Sequence, residues 1–189
     1  EGLVGSEMCI RDSGGLDGWL RVWTAGETTP RERLRSSDGK RDIASVAFSL
    51  DGLRVFAAAS DHIEEWALTT RNHRSLDSVA QTTVVRPHPD GLHLVGGTLH
   101  GDLAVWDLAS GRCTELVSGH AGSIRSLAYL ADGRITSAAD DNALRVWSPD
   151  LEHSRELLGH GGGVKVVATI AAAGRETLIS AGGDGQIRT

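Results

Sequence analysis

His120, Ser137 and Asp141 are the residue types of an acyl-transfer triad, and His160, Ser180 and Asp184 repeat the set further along the chain. In such a triad the imidazole takes the serine proton and the carboxylate orients the imidazole. The serine oxygen must also be exposed and lie beside oxyanion donors. Ser137 fits this poorly. It stands inside the strand-like run Arg134-Ile135-Thr136-Ser137-Ala138-Ala139, without a Gly-x-Ser-x-Gly elbow. An active site seldom recurs once per repeat, whereas a structural brace must. The set therefore reads as structural, and no catalytic residue is assigned.

Three other groups invite chemistry. His88, His93 and His100 could ligate a metal, but their spacings match no known zinc pattern and they read as scattered surface histidines. No metal ligand is assigned. Gly159-His160-Gly161-Gly162-Gly163 could cradle a phosphate, but no Lys-Ser/Thr follows. Val164-Lys165-Val166-Val167 reads as a strand rather than the helix a dinucleotide site needs, so no cofactor is expected. Asp61, Glu64 and Glu65 form an acidic cluster that reads as a solvated strand face. Trp19 is a possible interface anchor, because it takes the strand position four before the closing tryptophan, where His62, Asp102 and Ala143 stand in the other units.

The elements that position these residues recur at a fixed interval. Trp23, Trp66, Trp106 and Trp147 are separated by 43, 40 and 41 residues, and each closes a short β-like segment. The chain ends at Asp184-Gly185-Gln186-Ile187-Arg188-Thr189, one residue before a fifth tryptophan would fall due, so a longer protein is expected. A period near 40 residues implies a repeat architecture. The clearest unit runs from Gly119-His120 through an alternating strand at Ile124–Tyr129 and the turn Ala131-Asp132-Gly133. It continues with a second strand at 134–139, a turn at Asp140-Asp141-Asn142, a third strand ending at Trp147, and an outer strand at 154–158.

Gly-His, a turn Asp-Gly, the Ser and Asp before the tryptophan, and the closing Trp resemble the WD40 repeat family from Gly14 to Thr189. The resemblance implies an all-β, incomplete β-propeller of about four and a half four-stranded antiparallel blades. It also implies a hydrogen-bonded spoke through His120, Ser137, Asp141 and Trp147, repeated by His160, Ser180 and Asp184. Two units depart from the pattern. Phe56 and Ser60 replace the Ser and Asp of the unit ending at Trp66, and Gly96 and His100 replace them in the unit ending at Trp106. Those units are expected to lack the spoke and to rely on apolar packing. Ser13 and Asp17 match the first unit, but residues 1–13 fit no repeat and read as a non-native or disordered segment. The domain is therefore drawn from residue 14 to residue 189.

A net charge of −6 without a long run of one sign argues against a nucleic-acid footprint, and no apolar run reaches membrane-spanning length. Two cysteines, Cys9 and Cys113, are too few for a disulfide framework and suit the cytoplasm. Arginine outnumbers lysine 17 to 2 in an alanine- and glycine-rich chain, which points to a GC-rich bacterial source. The expected function is a non-catalytic scaffold that binds a protein or peptide through blade loops, with no small-molecule substrate. The alternative is the C-terminal sensor or interaction region of a larger bacterial kinase or signalling ATPase.

Overall fold

The structure is a computed structural model that describes residues 10–14, 19–24, 26–35, 43–59, 62–77, 79, 81–172 and 175–189. Among these residues there is no helix, and so none long and apolar enough to cross a membrane. The chain forms an open arc of antiparallel sheets, each a meander of consecutive strands.

The first sheet contains β1 (Ile10–Gly14), β2 (Trp19–Thr24) and β3 (Glu32–Arg35). The second contains β4 (Ser45–Phe48), β5 (Arg54–Ala58), β6 (Ile63–Ala67) and β7 (His73–Leu76). The third contains β8 (Thr82–Pro87), β9 (His93–Thr98), β10 (Asp102–Asp107) and β11 (Arg112–Ser118). The fourth contains β12 (Ile124–Tyr129), β13 (Ile135–Ala139), β14 (Leu144–Trp147) and β15 (Ser154–Leu157). The fifth contains β16 (Val164–Ala172), β17 (Arg175–Gly182) and β18 (Ile187–Arg188). These are the blades implied by the tryptophan period, except that the first and last have three strands. One boundary moves. Residues 10–13 belong to β1, paired residue for residue with β2 from Ile10 opposite Thr24, so the first blade takes in part of the segment set apart above. Residues 1–9 lie outside the described residues.

The core lies between blades, not within them. In the third blade Val85, Leu94, Ala104 and Trp106 pack on the second blade. Their strand neighbours Val84, Val95, Leu103 and Val105 pack on the fourth. Successive strand residues point to opposite faces, so a middle blade buries both. The first and second blades share Leu20, Val22, Val55 and Trp66, and the fourth and fifth share Leu144, Val164 and Val167.

Polar contacts between inner strands add to this packing. Ser45 Oγ accepts the Val85 amide at 3.3 Å, and Ser126 Oγ accepts the Val167 amide at 3.2 Å, at equivalent places in alternate blades. Asp140 accepts hydrogen bonds from Arg125 of its own blade and Lys165 of the next. The Asp-Gly turns bend at glycine, with φ of +68° at Gly52, +70° at Gly91 and +87° at Gly133, a region that a Cβ disfavours.

Candidate functional site

In the fourth blade the four repeat residues form one continuous chain of hydrogen bonds. Trp147 Nε1 donates to Ser137 Oγ at 2.8 Å, and Ser137 Oγ lies 2.7 Å from His120 Nε2. His120 Nδ1 lies 2.8 Å from Asp141 Oδ2. One assignment of protons satisfies every link: indole to hydroxyl, hydroxyl to imidazole Nε2, and Nδ1–H to carboxylate. Asp141 also accepts the Ala121 amide at 2.9 Å and the Ala143 amide at 3.2 Å. Burial pushes the His120 imidazole below its ordinary pKa despite the Asp141 carboxylate, so the ring is neutral. Burial alone would raise the Asp141 carboxyl, but the His120 and Ala121 hydrogen bonds outweigh it and hold it low.

The fifth blade repeats the arrangement. His160 Nε2 lies 2.9 Å from Ser180 Oγ, and His160 Nδ1 lies 3.0 Å from each Asp184 carboxylate oxygen. The Gly161 amide donates to Asp184 at 3.0 Å, so the glycine run closes this network and leads directly into β16. The Gly161 bond is the main reason that the Asp184 carboxyl sits at about 2.

The Ser137–His120–Asp141 distances would suit a nucleophilic triad. The setting does not. Ser137 is fully buried, and its oxygen already takes the Trp147 indole proton. No carbonyl carbon can approach it, so the order of protons serves cohesion within the blade.

The second and third blades solve the same problem differently. Gly96 faces Trp106, where a Cβ would come within 2.9 Å of the ring, and the Trp106 indole donates instead to the Asp77 carbonyl at 2.9 Å. His100 is exposed in the turn after β9. The third blade thus keeps a polar anchor for its tryptophan, beyond apolar packing. In the second blade Phe56 is fully buried, and Trp66 stacks on His73 with ring centroids 6.5 Å apart. Asp17, Ser60 and Asp61 lie outside the described residues.

The acidic cluster is not a solvated face. Glu64 and Glu65 are 1% and 7% exposed, because β6 is a middle strand covered on both sides. Arg74 stands directly across the strand from Glu65 and donates from Nε at 2.7 Å, while Arg54 reaches the other carboxylate oxygen at 3.3 Å. Glu64 lies 3.2 Å from His62 Nε2. Trp19 is half-buried, with the Arg35 guanidinium 5.7 Å from its ring centroid.

The histidines separate into two places. His88 and His93 flank the turn between β8 and β9, where the His88 amide donates to the His93 carbonyl at 2.9 Å. Asp90 at the turn tip carries Oδ2 to within 3.0 Å of His88 Nδ1 and 2.6 Å of His93 Nδ1. His100 lies at the far end of β9 and takes no part. Histidine spacing alone does not show the grouping, because its third member, Asp90, is not a histidine. The usable signal was the turn itself, which makes residues five apart cross-strand neighbours.

A family model described as WD domain, G-beta repeat matches residues 111–148, which run from β11 to the end of β14. The chain is 29% identical over 121 residues to WD repeat-containing protein 3 of Mus musculus, covering 63% of this chain and 13% of that protein. It is 40% identical over 55 residues to ribosome biogenesis protein YTM1 of Saccharomyces cerevisiae (strain YJM789), covering 29% of this chain and 12% of that protein. It is 35% identical over 60 residues to protein ROOT INITIATION DEFECTIVE 3 of Arabidopsis thaliana, covering 31% of this chain and 14% of that protein. With the blades described above, these matches identify a WD40 repeat at residues 111–148, in a chain whose sheets have the arrangement of an open WD40 propeller. It spans about an eighth of the length of these relatives. All three are eukaryotic, so none supports the bacterial source read from composition.

Proposed function

We propose that this chain is a non-catalytic scaffold that docks a protein or peptide on its blade loops. One observation carries the reading: Leu50, Leu53 and Leu92 are 61%, 50% and 63% exposed, at the equivalent first turns of the second and third blades. Arg54 donates from one blade to the Gly91 carbonyl of the other at 3.3 Å, which ties the two turns together. Exposed leucines on a braced frame suit a partner with a complementary apolar patch. The acidic net charge suits a protein better than a nucleic acid. The yeast relative is named for ribosome biogenesis, which suggests a partner from that machinery.

The test is affinity capture from cell extract with the parent chain, the Leu50→Asp/Leu92→Asp double variant, and Leu116→Asp on the outer strand β11. A discrete set of proteins held by the parent and Leu116→Asp, and lost by the double variant, is the expected result. No set, or one indifferent to the turn leucines, would overturn the reading. A second reading keeps the docking role inside a bacterial kinase or signalling ATPase. The arginine-rich composition bears only on its bacterial source, and an upstream reading frame without a catalytic domain would exclude it.

A further inference from the structure

We propose that His88, Asp90 and His93 form a binding site for a divalent transition-metal ion, of the zinc class, in the lining of the cavity between the third and fourth blades. One ligand atom from each residue lies within 4.8 Å of the other two. The set of two imidazole nitrogens and one carboxylate oxygen leaves a position open, as in metal sites that keep a water. Metal–nitrogen and metal–oxygen bonds of about 2.0–2.2 Å in tetrahedral array put ligand atoms roughly 3.3–3.6 Å apart. The Asp90 contacts of 3.0 and 2.6 Å need to open by about an ångström at most to admit an ion.

The ligands are already aimed. Asp90 Oδ1 accepts the Leu92 amide at 2.7 Å and the His93 amide at 3.1 Å, which fixes the carboxylate and leaves Oδ2 for the imidazoles. His88 Nδ1 accepts the Asp90 amide at 3.2 Å, which marks it as the nitrogen that carries the lone pair. On binding, that lone pair passes to the cation. The cation also takes the place of the proton between His93 Nδ1 and Asp90 Oδ2; as that proton leaves to solvent, Nε2 carries the ring's one N–H, so His93 binds as a neutral imidazole.

The surroundings favour a cation independently of the ligands. The cavity measures about 210 Å³. Glu115 and Asp150 also line it, and no lysine or arginine among the described residues does. Tyr129 also lines it, edge-on to the His88 ring at 5.3 Å between centroids. The Tyr129 hydroxyl is buried and has no hydrogen-bond partner among the described residues. A water on the open metal position would supply the partner that this hydroxyl lacks.

The test is calorimetric titration of the untagged full chain with Zn²⁺, then Co²⁺, with Mg²⁺ for comparison. One Zn²⁺ per chain is expected, with Mg²⁺ at least about 100-fold weaker because imidazole disfavours it. His88→Gln and His93→Gln should each weaken Zn²⁺ by more than about 100-fold, since even partners outside the ligand shell are worth 10–100-fold. His100→Gln and the Cys9→Ser/Cys113→Ser variant should bind as the parent does. Far-UV circular dichroism establishes that each variant is folded, and a Zn²⁺-dependent rise in Tm should appear in the parent and vanish in His93→Gln. Zn²⁺ binding no tighter than Mg²⁺, or binding that survives both His88→Gln and His93→Gln, would overturn the proposal.

Discussion

Gly119 lies so close beneath Trp147 that a Cβ there would come within 2.2 Å of the indole ring. The glycine of the Gly-His pair is therefore a packing requirement of the spoke, since its backbone forms the floor on which the tryptophan rests.

Gly119→Ala should destabilise the chain by about 1–3 kcal/mol, the usual cost of forcing extra volume into a filled core. Chemical denaturation checks this. A midpoint equal to the parent's would mean that the Trp147 ring has room to move, against the contact described.

The His120 imidazole makes stability depend on pH. Its pKa is lowered in the folded chain relative to the ordinary 6.5, mainly by burial. The unfolded chain therefore binds the proton first, and stability falls as pH drops from about 6.5 towards the lower folded value. Denaturation midpoints measured between about pH 7 and pH 5 should decline, and the decline should be shallower in His120→Gln. Equal slopes in parent and variant would place the pH sensitivity elsewhere.

Arg74→Met should cost about 2 kcal/mol, because it leaves Glu65, 8% exposed at its side chain, with Arg54 alone. Water at the 42%-exposed Arg74 side chain keeps the cost below that of a fully buried pair. Arg71→Met, which breaks the exposed pair with Glu32, should cost less than about 1 kcal/mol. Equal losses in thermal or chemical denaturation would return Glu65 to the solvated face that its sequence context suggested.

The blade pattern was legible because it rests on local signals that repeat: tryptophan at strand ends, Asp-Gly turns, and strands of alternating polarity such as β12. The burial of Glu64 and Glu65 was not legible. Alternation distinguishes a half-buried strand from a solvated one, but a middle strand of a propeller is covered on both faces, and adjacent glutamates there face different neighbours. Their neutralising partners lie in other strands, and only register identifies Arg74 as the residue opposite Glu65. The Trp106 anchor was hidden for a related reason, since its acceptor is the main-chain carbonyl of Asp77, which side-chain identity does not reveal. The Asp90 hairpin site was within reach, because Asp-Gly predicts the turn and the turn pairs His88 with His93.

The most direct test of whether the His120–Ser137–Asp141 set braces the blade or performs chemistry is the unfolding free energy of Ser137→Ala. Loss of this one hydroxyl leaves the Trp147 N–H and His120 Nε2 buried without partners, at roughly 1–3 kcal/mol for each stranded group. A brace therefore predicts a clear loss, on the order of 2–4 kcal/mol in equilibrium denaturation. Residues held in place for catalysis are often strained, and their replacement leaves stability unchanged or raises it. Ser137→Ala at or above the parent's stability would contradict the structural role given to the spoke.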